Sequence, residues 1–226
     1  MPGKTFMKLA RRTFAVISIL LLTISAFGYF FWYKPMADRH SKKISFAVSE
    51  NTRKDNRETM LRLYQRSVQA RHYIKAHGFN SRHCFLMDMR LPSGSNRFFV
   101  YNTKKESIVY SGLVAHGCCN ESFIANPRFS NASGSGCSSL GKYKVGEFYR
   151  GQWGKSFRLY GLDKSNSNAY KRAVVIHGHS CIEDKEIYPR VLCNSFGCPM
   201  VSFKFFDKLS GIIEKSDKPI LLWIYR

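Results

Sequence analysis

An uncharged segment of 21 residues, from Thr13 to Tyr33, is the feature that most constrains what this chain can fold into. About 20 such residues in a helix span the hydrocarbon of a bilayer. The segment ends in the cluster Phe30-Phe31-Trp32-Tyr33, which is typical of a membrane–water interface and unlike the small residues of a signal-peptide cleavage site. We therefore predict a transmembrane signal anchor at residues 13–33 behind a basic cytoplasmic tail at residues 1–12. A cleaved signal peptide is the alternative.

Basic residues around this segment predict its orientation. Four Lys and Arg and no acid precede it, which favours a cytoplasmic N-terminus, although basic residues also follow it. We expect residues 34–56, which are polar and basic, to form a juxtamembrane stalk. Residues 57–226 would then be one folded domain outside the cytoplasm, since 44% hydrophobic content is enough for a core.

The chain carries 36 Lys and Arg against 15 Asp and Glu, a formal net charge of +21. The charge is spread along the sequence, without a long basic run, a zinc-finger spacing or an RNA-binding aromatic motif. We expect no nucleic-acid partner. A basic domain outside the cytoplasm would instead meet anionic lipid or anionic wall polymer, with solubility alone as the other explanation.

Hydrophobic periodicity predicts a mainly β domain of the α+β class, with one leading and one late helix. The leading helix, residues 57–77, would bury Leu61, Tyr64 and Val68 and end at Gly78. The late helix would be capped by Ser202 and run to Glu214, with apolar side chains facing the core (Phe203, Phe206, Ile212, Ile213). Six strands are predicted, at residues 85–89, 98–101, 107–110, 156–160, 173–176 and 220–224, with a long irregular region at residues 117–141.

A histidine and a cysteine in restricted contexts indicate nucleophilic catalysis. His177 ends an apolar β-branched run, and Cys198 lies between Gly197 and Pro199, 21 residues later. The thiolate is the attacking form of cysteine, and a nearby imidazole can serve as its base. Gly197 permits close approach to a substrate, and the amides of Gly197 and Cys198 are candidate oxyanion donors. Ser195 is expected either to hydrogen-bond within this turn or to act in the reaction.

Seven cysteines are present, an odd total that leaves at least one unpaired within the chain. Cysteines outside the cytoplasm tend to oxidise, and a nucleophilic Cys198 would have to remain free. The spacing of Cys181 and Cys193 suggests a disulfide that closes the loop between His177 and Cys198. A zinc site built from His177, His179, Cys181 and Cys193 is disfavoured, since no Cys-x-x-Cys pair is present. We expect no metal and no cofactor.

Several motifs share their order and spacing with one enzyme family. His177 is followed, after 17 residues, by Ser195-Phe196-Gly197-Cys198-Pro199. Upstream motifs are Val114-Ala115-His116-Gly117, Phe129-Ser130-Asn131, Ser138-Ser139-Leu140-Gly141, Arg158-Leu159 and Arg172. Over roughly residues 58–226 the chain resembles the YkuD-like L,D-transpeptidases of bacterial peptidoglycan, most closely the murein L,D-transpeptidase catalytic domain subfamily. It departs from that subfamily at Asn194, where arginine is common, and at three cysteines where small residues are usual (Cys118, Cys119, Cys137).

The resemblance implies a YkuD-like β-sandwich or barrel domain and a reaction. The Cys198 thiolate, activated by His177, would attack the carbonyl of the third stem-peptide residue and release D-alanine. An amine of a second stem would then take the acyl group, giving a 3–3 cross-link. The backbone carbonyl of Gly178 would orient the His177 ring. His116 and Arg172 would contact substrate, with a structural or solvated role as the alternative for each.

The resemblance also implies partners and a location. The partners are peptidoglycan stem peptides, and the membrane is the bacterial inner membrane, crossed once by residues 13–33, with a periplasmic or otherwise extracytoplasmic catalytic domain. Two alternatives stand beside transpeptidation: an L,D-carboxypeptidase, in which water replaces the amine, and a non-catalytic wall-binding domain with Cys198 in a disulfide. Neither the acceptor nor the oligomeric state follows from the sequence.

Overall fold

The computed structural model describes the backbone of residues 3–226 and the side chains of residues 14–38 and 55–226. The chain forms two compact units, Met1–Met60 and Leu61–Arg226. The first unit contains α1 (Gly3–Gly28), a π-helical turn (Tyr29–Tyr33) and the beginning of α2 (Lys34–His77). Within the described residues one helical stretch, Phe14–Asp38, has the length and mean hydropathy (2.2) of a membrane span. A membrane anchor and a signal sequence both fit this observation.

The second unit begins on the last part of α2, which ends as predicted. Gly78 has a φ of +71°, and the Phe79 amide donates to the Ile74 carbonyl at 3.2 Å, as in a Schellman C-cap. The buried face of α2 consists of Leu63, Ser67, Ala70 and Ile74. The prediction that Leu61 and Tyr64 face the core is wrong, because both side chains are more than half exposed.

Eight strands form one mixed sheet in the order β3-β2-β1-β8-β4-β5-β6-β7. They are β1 (His83–Asp88), β2 (Phe98–Asn102), β3 (Ser107–Gly112), β4 (Gly141–Gly151), β5 (Gly154–Gly161), β6 (Val175–Gly178), β7 (Met200–Val201) and β8 (Ile220–Tyr225). β1 and β8 are parallel, as are β6 and β7, and the other neighbours are antiparallel. Each of the six predicted strands overlaps an observed strand, although Ala173 and Val174 precede β6, and the α+β class is confirmed. β4 and β7 are additional.

The sheet separates two apolar cores. Leu86 of β1 belongs to the core that includes the α2 side chains Leu63 and Ile74. The neighbouring residue Met87 belongs to the other core, which includes Phe206 of α3 (Phe203–Glu214). This alternation is the strand period of two, with apolar side chains on both faces because both faces are covered.

The N-cap of α3 is confirmed, since the Ser202 hydroxyl accepts from the Phe205 amide at 3.2 Å. Phe206 is buried as predicted, and Phe205 and Leu209 complete the buried face. The prediction for Phe203 is wrong, because its side chain is 56% exposed in the first turn of the helix. It lies beside Gly178, where an added Cβ would be 2.6 Å from the Phe203 ring.

Two irregular segments adjoin the strands that carry the predicted catalytic residues. Residues 113–140 contain isolated bridges, Gly117 with Ser195 and Phe129 with Ser138, in agreement with the predicted irregular region. A Cys119–Cys137 disulfide closes this segment. Residues 179–199 connect β6 to β7 and contain the Cys181–Cys193 disulfide that the spacing suggested.

Candidate active site

The pairing of β6 with β7 brings the two predicted catalytic residues onto neighbouring strand segments. His177 is in register with Met200, and its amide donates to the Pro199 carbonyl at 3.4 Å. Cys198 directly precedes Pro199, and its sulfur accepts a hydrogen bond from the Val175 amide at 3.5 Å. His177 and Cys198 therefore lie at the same edge of the sheet, although 21 residues separate them in sequence.

The His177 ring has a defined tautomer. Its Nδ1 lies 3.0 Å from the Gly178 carbonyl oxygen, which can only accept, so Nδ1 carries the proton. The basic lone pair is then on Nε2. Burial lowers the pKa of His177, with the Gly178 hydrogen bond opposing this shift and the charge of His179 adding to it. A neutral imidazole with a free Nε2 is the form that a general base needs.

Trp153, which sequence analysis missed, covers this histidine. Its indole stacks on the His177 ring with centroids 5.5 Å apart, and it also lies 5.2 Å from the His179 ring. Trp153 occupies the turn between β4 and β5, where polar residues are usual. No local sequence pattern indicates this contact, because Trp153 reaches His177 through the pairing of β5 with β6.

Cys198 is unpaired and half-buried. Burial raises the pKa of its thiol, while the Val175 hydrogen bond and the positive charge of Arg172 act in the opposite direction. The other two unpaired cysteines, Cys84 and Cys118, are buried. Burial raises the pKa of Cys84 to about 12, so that thiol is unreactive at neutral pH.

The turn before Cys198 is held by Ser195. Its hydroxyl accepts from the Gly197 amide at 3.1 Å, and its own amide donates to the His116 carbonyl at 2.9 Å. Gly197 has a φ of +111°, and a Cβ there would lie 2.7 Å from the Cys137 carbonyl, so the turn requires glycine. The Gly197 amide is thus engaged, whereas the Cys198 amide has no acceptor within residues 55–226.

Arg172 connects this turn to the irregular segment. Its guanidinium donates to the Ser130 carbonyl at 2.9 Å, to the Ser139 hydroxyl at 2.6 Å, and to the Cys137 carbonyl. A Cβ on Gly197 would lie 3.1 Å from its Nη2. This arrangement places a cation beside Cys198 with its donors directed largely at protein acceptors, and it favours a structural role over substrate contact.

His116 is fully buried and engaged at both ring nitrogens. Nδ1 accepts from Arg97 at 2.9 Å, and Nε2 donates to the Ile124 carbonyl at 3.2 Å. Burial and the Arg97 charge lower the pKa of His116 to about 4, so the ring is neutral at physiological pH. These contacts favour the structural alternative for His116.

Asn194, the departure from the subfamily pattern, also belongs to this buried network. Its Oδ1 accepts from the Ile124 amide at 2.7 Å, and its Nδ2 donates to the Ile124 carbonyl at 3.0 Å. The Asn194 side chain therefore pairs with both backbone groups of Ile124 and fixes the loop there. An arginine could not make the same pair of bonds, because its guanidinium has no acceptor for the Ile124 amide. The next residue but one, Phe196, is 81% exposed directly beside the turn that holds Cys198.

Metal ligation finds no support among the described side chains, where no group of three or more His, Cys, Asp or Glu residues converges. Cys181 and Cys193 are consumed by their disulfide. The site thus offers a thiol, a neutral imidazole, a free amide and a neighbouring guanidinium. Together these groups can carry out acyl transfer at a carbonyl.

Comparison with known proteins places the domain in a family. The family model for the L,D-transpeptidase catalytic domain matches residues 55–225. The chain belongs to this family of L,D-transpeptidase domains. A search of curated proteins returned no match.

Solved structures that match this chain at low identity include three proteins. The helical cell shape determining protein Pgp2 from Campylobacter jejuni is 12% identical with a TM-score of 0.42, covering 64% of this chain and 48% of that one. An L,D-transpeptidase from Xylanimonas cellulosilytica is 13% identical with a TM-score of 0.37, covering 65% and 61%. An L,D-transpeptidase from Mycobacterium smegmatis is 10% identical with a TM-score of 0.38, covering 64% and 59%. The chain therefore spans about half to three-fifths of the length of these proteins.

Proposed function

We propose that this protein is a peptidoglycan L,D-transpeptidase in which Cys198 is the nucleophile and His177 the base. The observation that carries the proposal is the fixed tautomer of His177: its Nδ1–H is bound to the Gly178 carbonyl at 3.0 Å, on a strand paired with the segment that holds an unpaired Cys198. Gly178 takes the orienting role that an aspartate has in a serine protease triad.

Acylation begins from a neutral pair. Burial lowers the pKa of His177 and raises that of Cys198, so thiol and imidazole are the resting forms. On substrate binding, His177 Nε2 takes the Cys198 proton, and the thiolate attacks the carbonyl of the third residue of a tetrapeptide stem. The free amide of Cys198 donates to the oxyanion. The carbon–nitrogen bond to D-alanine then breaks, its amine takes the proton from His177, and a thioester remains.

Transfer reverses these roles. An amine of a second stem loses its proton to His177 and attacks the thioester carbonyl, and the carbon–sulfur bond breaks. Cys198 regains a proton from His177, and a 3–3 cross-link has formed. One oxyanion donor typically lowers such barriers by about 3–4 kcal/mol, so the Cys198 amide is a substantial part of the rate.

The remaining predicted residues act around this pair in the proposal. Ser195 shapes the turn through its bond to the Gly197 amide. Arg172 holds the irregular segment against that turn and favours the thiolate by its charge. His116 stabilises the irregular segment as a neutral ring that is hydrogen-bonded to Arg97 and to the Ile124 carbonyl.

Two alternatives use the same site. With water as acceptor the protein is an L,D-carboxypeptidase, and the partial exposure of Cys198 admits either acceptor. A wall-binding domain with a disulfide-bonded Cys198 is disfavoured, since Cys198 is unpaired. For location, the apolar stretch Phe14–Asp38 supports a domain held outside the cytoplasm by an inner-membrane anchor.

Intact-mass measurement on the full chain in nonionic detergent tests the proposal. Incubation with a disaccharide-tetrapeptide should give a tripeptide adduct on Cys198 and free D-alanine. Cys118→Ala, which removes another unpaired thiol, should acylate normally, whereas Cys198→Ala should not. Addition of a second stem separates cross-linking from hydrolysis. An adduct at another residue, or D-alanine release by Cys198→Ala, would refute the nucleophile assignment.

A further inference from the structure

A cavity of about 170 Å³ lies between α2 and the adjacent ends of β1 and β8. Seven residues line it, and four of them are arginines (Arg62, Gln65, Arg66, Gln69, Arg90, Tyr225, Arg226). β4 and β5 stand between β8 and the catalytic strand β6 in the sheet order. The cavity is therefore separate from the site described above, and acyl transfer makes no use of its residues.

The lining concentrates positive charge. Asp88, whose carboxylate is fully buried, binds Arg62 at 2.9 Å, but none of the lining residues has an acidic side chain. Arg62 and Arg66 are four residues apart on α2, a spacing at which like charges repel each other on a helix. This ion pair engages Arg62, whereas among the described residues no ion pair with an acidic side chain involves Arg66, Arg90 or Arg226.

Two lining side chains are already fixed. The Arg66 guanidinium lies 4.6 Å from the ring centroids of both Trp223 and Tyr225 and donates to the Gln69 side chain at 3.0 Å. Such stacking holds the planar Arg66 guanidinium in one orientation. Tyr225 is 4% exposed, and its buried hydroxyl has no hydrogen-bond partner among the described residues. Buried hydroxyls nearly always have a partner, so the Tyr225 hydroxyl is available to donate to a bound group.

We propose that this cavity binds a phosphate group, either as free phosphate or as part of a phosphate ester. Guanidinium forks match phosphate oxygens with two parallel hydrogen bonds. Several arginines around one small cavity favour a dianion over a singly charged carboxylate. Tyr225 lines the same cavity, and its unpartnered hydroxyl would supply a neutral donor to the bound oxyanion.

Calorimetric titration of the full chain in nonionic detergent, at constant ionic strength, tests this site. The probes are inorganic phosphate, glycerol phosphate, the diester glycerophosphoglycerol, and acetate as the carboxylate. Tyr225→Phe and Arg90→Gln should each weaken phosphate binding by about tenfold. Arg150→Gln, at an exposed arginine in β4, should bind like the wild type. Because the Tyr225 hydroxyl is unpartnered, Tyr225→Phe should melt no lower than the wild type.

The ligand source follows from the order of affinities. Tighter binding of either ester identifies an esterified source, such as a headgroup, whereas tighter binding of inorganic phosphate identifies the free anion. The proposal is overturned if phosphate does not bind, if acetate binds more tightly than phosphate, or if Tyr225→Phe and Arg90→Gln both retain wild-type affinity. The acyl-transfer assay is independent of all these outcomes.

Discussion

The indole of Trp153 lies nearly parallel to the imidazole of His177, with ring planes 15° apart and centroids separated by 5.5 Å. Trp153 lies in the turn between β4 and β5, and His177 is in register with Ser156 of β5 on the adjacent strand. The indole covers one face of the imidazole and adds to the burial that lowers its pKa. A hairpin turn thus contributes to the surroundings of the proposed base.

Trp153→Ala should expose the His177 ring and raise its pKa towards the ordinary value. The acid limb of the kcat/KM profile should therefore move to higher pH, and the rate should fall more below neutral pH than above it. A loss of roughly tenfold to a hundredfold is expected on the acid side. Trp153→Phe, which keeps an aromatic cover, is the matched control. A uniform loss with an unshifted profile would show that Trp153 does not act through His177.

Arg172→Ala should destabilise the domain rather than weaken substrate binding. The guanidinium donates to the Ser130 and Cys137 carbonyls, and its removal leaves the carbonyl of buried Cys137 unpaired, whereas Ser130 keeps a bond from the Ser139 hydroxyl. A loss of about 2–4 kcal/mol in the free energy of unfolding is expected from chemical denaturation. Lys171→Ala, at the exposed neighbouring cation, should change stability little. A large rise in KM with unchanged stability would instead support the carboxylate-binding role.

The Cys181–Cys193 disulfide should stabilise the connection between β6 and β7. It closes a loop with a sequence separation of 12, and closure of such a loop in the unfolded chain corresponds to about 3 kcal/mol. The double variant Cys181→Ser/Cys193→Ser should lose that amount in denaturant titrations. Reductant should lower the stability of the wild type and of this variant by different amounts, because the variant retains Cys119–Cys137 alone. Equal responses would mean that the bond does not form in solution.

His116 should make stability depend on pH. Its pKa is about 4 in the folded protein and about 6.5 in the unfolded chain, so the unfolded state binds the additional proton. Stability is fully present above the unfolded pKa and falls as pH decreases towards about 4, by a total of about 3 kcal/mol. His116→Gln should have a smaller pH slope over this interval in denaturant titrations. Wild-type and variant slopes that coincide would contradict the buried neutral ring.

The sequence predicted that His177 and Cys198 lie together because each residue lies in a short motif with a fixed backbone role. Gly197 has a backbone conformation that glycine adopts readily, and His177 follows a continuous apolar run near the end of β6, so both motifs are recognisable locally. Trp153 could not be predicted in the same way, since it reaches His177 through the pairing of β5 with β6. A contact between residues on different strands depends on the register of strand pairing, which cannot be read from a local sequence pattern.

The error on α2 and the omission of β4 have a common physical origin. On α2 the buried face includes Ser67 and Ala70, small residues that contribute little to a hydrophobic pattern. Leu61, which was predicted to be buried, is exposed. The missed strand β4 does alternate, with Gly141, Tyr143 and Val145 buried, but it begins and ends in glycine. Burial of small residues depends on how closely the partner surface approaches, and this is decided by the tertiary structure.

The shortest strand of the sheet, β7, has a further consequence. Met200 and Val201 form one of the two edge strands, and only Pro199 separates them from Cys198 in the sequence. So short an edge offers little backbone for another chain to pair with, which protects the protein from joining to itself through this border. Within residues 55–226, no further strand lies beyond β7 on the side of Cys198. Under the proposed function, this edge position would let the protein reach one stem peptide of a continuous peptidoglycan network from the side, without enclosing the network in a deep cleft.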